Sequence, residues 1–380
     1  MANTEAVSQN VDHSENDAYL TEQILTYLGN KRLLLNNIGI EVREIQRVLH
    51  KDKLVTLDLF SGSGIVARYL KQYSSSVYAN DLEKYSWIIN SCYLSNRSEF
   101  DTQTYLKYLE LLNRKISDSP IDGVIVTNYA PQNTERILAG ERAFYTHENA
   151  QYIDSMRTYI DDVIPENYRK YFLARLLIEA SIHTNTAGIF KGFYKDKNTG
   201  IGKFGGTGEN ALSRIKGKIE MSVPVLSNFE TDYRVYREDA NTLVKELEPV
   251  DLAYLDPPYN QHPYGSNYFM LNVILDNCIP DIISKVSGIP SDWNHSAYNK
   301  KANALNSLAE LISDIRANYI IVSYNNEGFI TENEMTTVLG NFGRVKTTAI
   351  EYNAYRGSRN LRNRNLKTSE YLFVLQKGAG

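Results

Sequence analysis

Residues 54–67 constrain the fold of this chain more than any other segment. The apolar run LVTLDLF at 54–60 is typical of a buried strand, and it leads through Gly62 and Gly64 into a helical pattern. With Ala67, these glycines follow the spacing G-x-G-x-x-A, which lets the backbone turn sharply and lets a ligand approach it closely. The segment therefore predicts the strand, glycine turn and helix that begin a doubly wound α/β sheet.

Further strand-like runs alternate with helical patterns, which favours an α/β domain with a mostly parallel sheet. The other predicted strands are SVYAND (76–81), DLAYLD (251–256), YIIVSY (319–324), VKTTAIEY (345–352) and EYLFVL (370–375). The predicted helices cover 20–28, 33–49, 82–96 and 301–316.

The pattern changes between residues 125 and 225, where Tyr and Asn are frequent and a long helical run precedes a glycine-rich segment at 190–210. That segment alternates basic with aromatic residues, so we expect an ordered loop or small hairpin. We predict a catalytic domain formed by 18–124 and 226–380, with a smaller domain inserted at 125–225. The polar residues 1–17 are expected to be a disordered tail.

Composition excludes several classes of protein. The chain is 42% apolar and 23% charged, as soluble globular proteins are. It contains no run of about 18 apolar residues and no secretory pattern at its N-terminus, so we expect no membrane association. Cys92, Cys278 and the six histidines have no metal-binding spacing, so we expect no metal and a reducing cytoplasm. The net charge of −4 argues against a uniformly basic nucleic-acid binder.

Two acids indicate what the glycine turn binds. Asp81 ends the next predicted strand, nineteen residues after Gly62, where an acid is expected to bind ribose hydroxyls. Asp58 lies at the end of the first strand, where it would repel a pyrophosphate but attract a cation. S-adenosylmethionine carries an ammonium and a sulfonium, so we predict it as the cofactor. The alternatives are a nicotinamide-dependent oxidoreductase that uses the glycine turn, and an Asp58 that only caps the next turn.

The motif Asp256-Pro257-Pro258-Tyr259 follows the predicted strand 251–256. A proline-stiffened turn accounts for the prolines, but it explains neither the acid nor the aromatic ring. Asp256 and the Pro257 carbonyl are suited to accept hydrogen bonds from the exocyclic amine of a base. Tyr259 offers a flat face on which a flipped base stacks, and such stacking contributes roughly 1–3 kcal/mol.

D-P-P-Y together with FSGSG resembles the adenine-N6 DNA methyltransferases. The order Gly29-Asn30-Lys31, FSGSG, insertion, DPPY is similar to their alpha-arranged subgroup, although Asn30 replaces the usual second glycine. An Asp at position 256, rather than Asn or Ser, favours adenine. The resemblance implies an S-adenosylmethionine-dependent methyltransferase fold, a target-recognition domain in the insertion, and site-specific methylation of double-stranded DNA by base flipping. It also implies a restriction-modification system with a cognate restriction endonuclease.

The same resemblance implies further cofactor residues. Lys31 belongs to the N-terminal motif, and Phe60, Gly62 and Gly64 belong to the cofactor motif. Asp239 stands where the family has an acid near the cofactor's adenine, with Glu238 beside it as the alternative.

Two basic stretches and the segment after DPPY are candidates for DNA contact. The expected phosphate contacts are Lys191, Lys195, Lys197, Lys203, Arg356, Arg359, Arg362 and Arg364. Tyr268, in the segment YGSNYFMLN, is expected on a loop that closes over the extruded base. Solvated basic loops are the alternative for both stretches, and an RNA adenine methyltransferase is the nearest alternative function.

Overall fold

The computed structural model describes residues 14–22, 24–278, 281–353 and 367–378. Its strands are β1 (Leu54–Asp58), β2 (Ser74–Asn80), β3 (Asp232–Tyr236), β4 (Val250–Leu255), β5 (Ala317–Asn325), β6 (Gly343–Asn353) and β7 (Lys367–Lys377). Its helices are α1 (Asp17–Thr21), α2 (Leu35–Leu49), α3 (Ile65–Leu70), α4 (Lys84–Tyr93), α5 (Thr102–Asp118), α6 (Val124–Tyr129), α7 (His147–Val163), α8 (Glu166–Ile182), α9 (Leu212–Lys216), α10 (Ala240–Leu243), α11 (Tyr264–Asn267), α12 (Phe269–Asp276), α13 (Lys301–Asp314) and α14 (Glu332–Gly340).

The seven strands form one sheet in the order β3-β2-β1-β4-β5-β7-β6. Strands β1 to β5 pair in parallel, whereas β7 runs antiparallel to β5 and β6. β4 lies at the centre, and all of its residues are buried. The predicted α/β fold with a mostly parallel sheet is confirmed.

Alternate residues of the central strands pack on opposite faces of the sheet. On one face, Leu57 and Ala253 share a core with Leu308 of α13. On the other face, Tyr254 shares a core with Val42 of α2. Helices cover both faces of the parallel strands, which is why the β4 sequence is a continuous apolar run rather than an alternating one.

The chain between β2 and β3 is mostly helical. Helix α5 packs against α7, and α4 packs against α8, so one core joins α4, α5 and α12 to the helices of the 125–225 segment. The division of the chain at 125 and 225 stays a prediction. The expected small hairpin is present, since Lys195 and Gly202 form an antiparallel bridge.

One prediction of local structure was wrong, and one strand was not predicted. The helix expected over 20–28 ends at Thr21, and Ile24 and Leu25 are buried in non-helical backbone that reaches a left-handed turn at Gly29 (φ 75°). β3 was missed because it is an edge strand with no fully buried residue, so its sequence lacks an apolar pattern.

The described residues begin at residue 14, within the predicted N-terminal tail. The Glu15 carboxylate accepts hydrogen bonds from Ser227 Oγ (2.6 Å) and from the Asn228 backbone N–H (2.8 Å). The boundary of the tail at residue 17 stays a prediction, and residues 1–13 of that tail lie outside the described residues. None of the described helices has the length and apolar character needed to span a membrane.

Candidate active site

The turn after β1 is held in a shape that requires glycine. Gly62 and Gly64 have φ values of 52° and 77°, in the left-handed region that other residues rarely adopt. A Cβ at Gly62 would lie 2.7 Å from the Tyr27 ring. The Gly62 backbone N–H donates to Asp81 Oδ2 (2.8 Å), so the turn and the end of β2 are joined directly.

Asp58 is 1% exposed at the carboxyl end of β1. Its Oδ2 accepts a hydrogen bond from the Ala67 N–H (2.9 Å), whereas Oδ1 is buried without a partner among the described residues. Burial, followed by repulsion from Asp256, raises the pKa of Asp58 well above its usual range. An unpartnered buried oxygen of this kind is a site for a hydrogen-bond donor or a cation.

One cavity joins the glycine turn to the DPPY motif. Its empty volume is about 900 Å³, which includes the part that is open to solvent. Of the predicted site residues, those that line it are Lys31, Asp58, Phe60, Gly62, Asp81, Asp239 and Asp256. Gly64 is not part of the lining and is the N-cap residue of α3. The Tyr254 hydroxyl, also in the wall, is buried without a partner in the described part of the chain.

Four acids lie at one end of the cavity. Asp81 Oδ1 accepts the Glu83 N–H (2.9 Å), and burial raises the pKa of Glu83 to about 7. The Asn80 side chain bonds both the N–H and the carbonyl of Glu238, at 3.0 and 3.1 Å. Asp239 accepts the Thr242 N–H and so caps α10. Both Glu238 and Asp239 line the cavity, and the alternative between them stays open.

At the other end of the cavity, Asp256 follows β4 and forms an ion pair with Lys31 (Oδ1 to Nζ, 3.0 Å). Lys31 also pairs with Glu370 Oε1 (2.9 Å), on β7. Burial raises the pKa of Asp256 to about 6, Lys31 opposes that rise, and Glu370 adds to it. Burial lowers the pKa of Lys31, but the two carboxylates outweigh this effect and raise it well above its usual range.

Three tyrosine rings stack beside the cavity. The Tyr27 ring stacks against both Tyr264 and Tyr268, with centroids 5.0 and 4.8 Å away, and those two rings also stack on each other at 6.1 Å. Tyr268 is 1% exposed, and its hydroxyl accepts the Leu28 N–H (2.8 Å) and donates to the Thr26 carbonyl (3.2 Å). In this structure the side chain packs inward and 264–267 is helical, and the expected DNA contact of Tyr268 from a closing loop stays a prediction.

Of the remaining DPPY residues, Pro258 lines the cavity, whereas Pro257 and Tyr259 lie beside it. Pro257 is buried and Tyr259 is half-buried. The Tyr259 ring meets Tyr324 edge-on, with centroids 6.4 Å apart, and the Tyr259 carbonyl accepts the Phe329 N–H (3.0 Å). These contacts fix the backbone at the end of β4 and leave part of the Tyr259 ring exposed.

The predicted basic contacts fall in two places. Lys191, Lys195 and Lys197 are exposed and Lys203 is half-buried, around the hairpin bridge. None of the four forms a salt bridge with a carboxylate in the described ranges. Arg356, Arg359, Arg362 and Arg364 lie outside the described residues.

The model of the D12 class N6 adenine-specific DNA methyltransferase family matches residues 27–338 of this chain. The chain belongs to this family. The match contains the glycine turn, Lys31, Asp81 and the DPPY motif, and it confirms the predicted adenine-N6 DNA methyltransferase. Neither an oxidoreductase nor an RNA methyltransferase is favoured by this match.

Curated relatives belong to the same class of enzyme. Type II methyltransferase M.NlaIII of Neisseria lactamica is 32% identical over 362 residues, which cover 93% of this chain and 99% of that protein. Modification methylase StsI of Streptococcus sanguinis is 30% identical over 376 residues, covering 93% and 52% respectively. Type II methyltransferase M.CviAII of Paramecium bursaria Chlorella virus 1 is 27% identical over 356 residues, covering 92% and 97%.

The structure adds residues that sequence reasoning did not assign to the site of this D12 methyltransferase. Glu370, Tyr254 and Tyr27 are the main ones. Tyr254 was detectable, since it precedes Asp256 by two residues and therefore shares its side of β4. Glu370 is an acid within an apolar strand pattern, which is a weaker signal. Nothing in the sequence near Tyr27 indicates that its ring packs against Gly62.

Proposed function

We propose that the cavity binds S-adenosylmethionine beside an adenine extruded from duplex DNA, and that Asp256, Pro257 and Tyr259 hold the adenine. The observation that carries the proposal is the single cavity lined by both Asp58 and Asp256. The two side chains stand at the carboxyl ends of neighbouring parallel strands, since Asp58 pairs with Tyr254 in the β1–β4 register. Ligands of doubly wound sheets bind beyond those ends.

The residues in the cavity wall fit this cofactor. The Oδ1 of Asp58 and the Tyr254 hydroxyl, which have no hydrogen-bond partner among the described residues, provide polar groups for its charged amino-acid end. Asp81 would hold the ribose hydroxyls, and Asp239 or Glu238 would lie near the adenine. When bound, S-adenosylmethionine supplies a methyl group made electrophilic by the adjacent sulfonium.

Asp256 has the properties needed to orient the adenine amine. The amine is a poor nucleophile because its lone pair is delocalised into the ring. Hydrogen bonds from its two N–H groups to the Asp256 carboxylate and the Pro257 carbonyl favour a tetrahedral nitrogen with an available lone pair. The amine gains positive charge as it is methylated, and a carboxylate fixed in place stabilises that charge without rearrangement.

Tyr259 is proposed to stack on the extruded base. Its ring is half-buried and is supported edge-on by Tyr324, so it presents a fixed aromatic surface. The exposed lysines of the hairpin segment at 190–210 would bind DNA phosphates in the inserted part of the chain. We further propose that this enzyme protects host sites from a cognate endonuclease, since its relatives include a modification methylase.

The test is transfer of a labelled methyl group from S-adenosylmethionine to duplex DNA, followed by nucleoside analysis. We expect N6-methyladenine in DNA and none in a matched RNA. Cofactor binding without N6-methyladenine in any genomic DNA tried would contradict the proposal. Methylation of the RNA alone would assign the enzyme to the alternative substrate.

Variants test the proposed roles. Asp256→Ala is expected to abolish transfer with cofactor affinity nearly unchanged, whereas equal loss of both would place Asp256 in the cofactor site. Asp314→Ala, which removes a partly exposed ion pair with Lys245, is the matched control. Tyr259→Ala is expected to slow turnover more than Tyr259→Phe or Tyr259→Trp, because stacking needs the ring and not the hydroxyl.

A further inference from the structure

We propose that Glu370 is a positioning residue for methyl transfer: it holds the Lys31 ammonium beside Asp256 and stops that ammonium from neutralising the Asp256 carboxylate completely. This inference rests on the proposed role of Asp256. Glu370 lies on β7, outside the lining of the cavity, so it would act on the reaction through Lys31 and Asp256.

Glu370 is built into the sheet as a fixed anion. It is 1% exposed. Its Oε1 accepts a hydrogen bond from Ser323 Oγ (2.7 Å), and its Oε2 accepts one from Asn325 Nδ2 (3.2 Å). Burial raises the pKa of Glu370, but Lys31, Ser323 and Asn325 outweigh that effect and the net shift is downward.

Lys31 is shared between a fixed carboxylate and an accessible one. Its side chain is 5% exposed, and Nζ lies 2.9 Å from Glu370 Oε1 and 3.0 Å from Asp256 Oδ1. The Asp256 side chain is 21% exposed and lines the cavity, so it can be reached by a ligand there. Two carboxylates and one ammonium leave the cluster with one net negative charge.

This sharing has a chemical consequence. If Glu370 carried no charge, the whole field of the Lys31 ammonium would act on Asp256, and its oxygens would accept hydrogen bonds from the amine less well. If Lys31 were absent, two carboxylates would lie close together in a buried site, which favours protonation of one of them. Lys31, Asp256 and Glu370, here called the triad, therefore keep Asp256 ionised and still basic enough to accept a hydrogen bond from a neutral amine.

Other groups also act on the charge of Asp256. Besides Lys31 and Glu370, four titratable groups interact electrostatically with Asp256. They are Asp58 on β1, Tyr254 on β4, and Tyr259 and Tyr264 in the chain after β4. None of them is altered in the variants below, so a change in the pH profile reports the triad.

The test compares Glu370→Gln with Lys31→Met by single-turnover methyl transfer across pH. Because Glu370 raises the pKa of Asp256 and Lys31 lowers it, the two variants are expected to move the acidic limb of the profile in opposite directions. Glu370→Gln moves it to lower pH, and Lys31→Met moves it to higher pH. Glu370→Gln is also expected to lower the plateau rate about 10- to 100-fold, because a displaced catalytic group costs rates of this order.

Affinities separate positioning from a general structural defect. The dissociation constants for S-adenosylmethionine and for DNA are expected to stay within about twofold of wild type in Glu370→Gln, since Glu370 does not line the cavity. The matched control is Glu41→Gln, which removes a mostly buried glutamate paired with Lys346 (2.7 Å) outside the cavity. This control should leave the rate and the pH profile unchanged.

Three results would overturn the inference: an acidic limb that stays in place in Glu370→Gln, a limb that moves in the same direction as in Lys31→Met, or a wild-type plateau rate. If Glu370→Gln does not fold, Ser323→Ala replaces it. That variant keeps the charge but removes one support of the carboxylate, and a wild-type rate would again overturn the inference. Absence of N6-methyladenine with the wild-type enzyme would instead refute the proposed function.

Discussion

Replacement of Gly62 by alanine tests whether the Tyr27 ring is as rigid as the structure indicates. The new Cβ would lie 2.7 Å from Tyr27 Cε1, so the ring or the turn must move. The ring has little freedom, because it stacks against both Tyr264 and Tyr268 and its hydroxyl lies 3.1 Å from that of Tyr85. Gly62→Ala should therefore lose stability and also distort the cavity that both residues line.

The loss of unfolding free energy in Gly62→Ala has two contributions. A non-glycine residue in the left-handed region costs about 1–2 kcal/mol. Displacing Tyr27 forfeits two stacked pairs, each worth about 0.5–1.5 kcal/mol, which adds about 1–3 kcal/mol. Gly200→Ala is the matched control: Gly200 has a φ of 69° and a Cβ there would meet no atom within 4 Å. The control isolates the backbone strain.

The assay is urea denaturation of both variants without cofactor, with S-adenosylmethionine affinity measured by calorimetry. We expect Gly62→Ala to lose about 1–3 kcal/mol more unfolding free energy than Gly200→Ala, and to bind the cofactor at least about tenfold more weakly, a change of about 1.4 kcal/mol. Equal destabilisation of the two variants, with wild-type cofactor affinity in Gly62→Ala, would refute the assignment of Tyr27 as a rigid wall.

Three further predictions concern pH, Tyr268 and the basic hairpin. The wild-type single-turnover rate should fall as the pH drops through about 6, because the ionised Asp256 is required and its pKa is raised to that value; a rate constant from pH 8 to pH 5 would contradict this. Tyr268→Phe should lower the unfolding free energy by about 1 kcal/mol and leave DNA affinity within twofold, because its side chain packs inward; a tenfold loss in filter binding would instead support a direct DNA contact. The double variant Lys195→Ala and Lys197→Ala should reduce the slope of log affinity against log salt by about 1.8, and Lys245→Ala, whose lysine is ion-paired with Glu310, should leave the slope unchanged.

Local sequence patterns were sufficient for much of the fold. The sequence patterns of β1, β2 and β4 to β7 predicted strands; for β1, β4 and β5 the reason is that parallel strands covered on both faces contain continuous apolar residues. The glycine turn and Asp81 were recognisable because the backbone needs glycine at a fixed distance from the strand. The hairpin at Lys195 and Gly202 was also expected from its composition.

The same patterns failed where a residue's role depends on a distant partner. Tyr268 was expected on a mobile loop, yet its ring packs on Tyr27. Tyr27 itself was expected to lie in a helix. β3 is an edge strand without a fully buried residue, so its position in the sheet does not impose an apolar sequence. These outcomes depend on packing, which a local window does not contain.

The sequence by itself determined the class of fold, the family motifs and the identity of Asp58, Asp81 and Asp256 as the acids of interest. Only the tertiary structure decided the partners of Lys31. It pairs with Asp256 and with Glu370 because β5 lies beside β4 and β7 enters antiparallel to β5, in the register that sets Glu370 opposite Asn325. Strand order and register join residues far apart in the chain, and they depend on how all the helices and strands pack together.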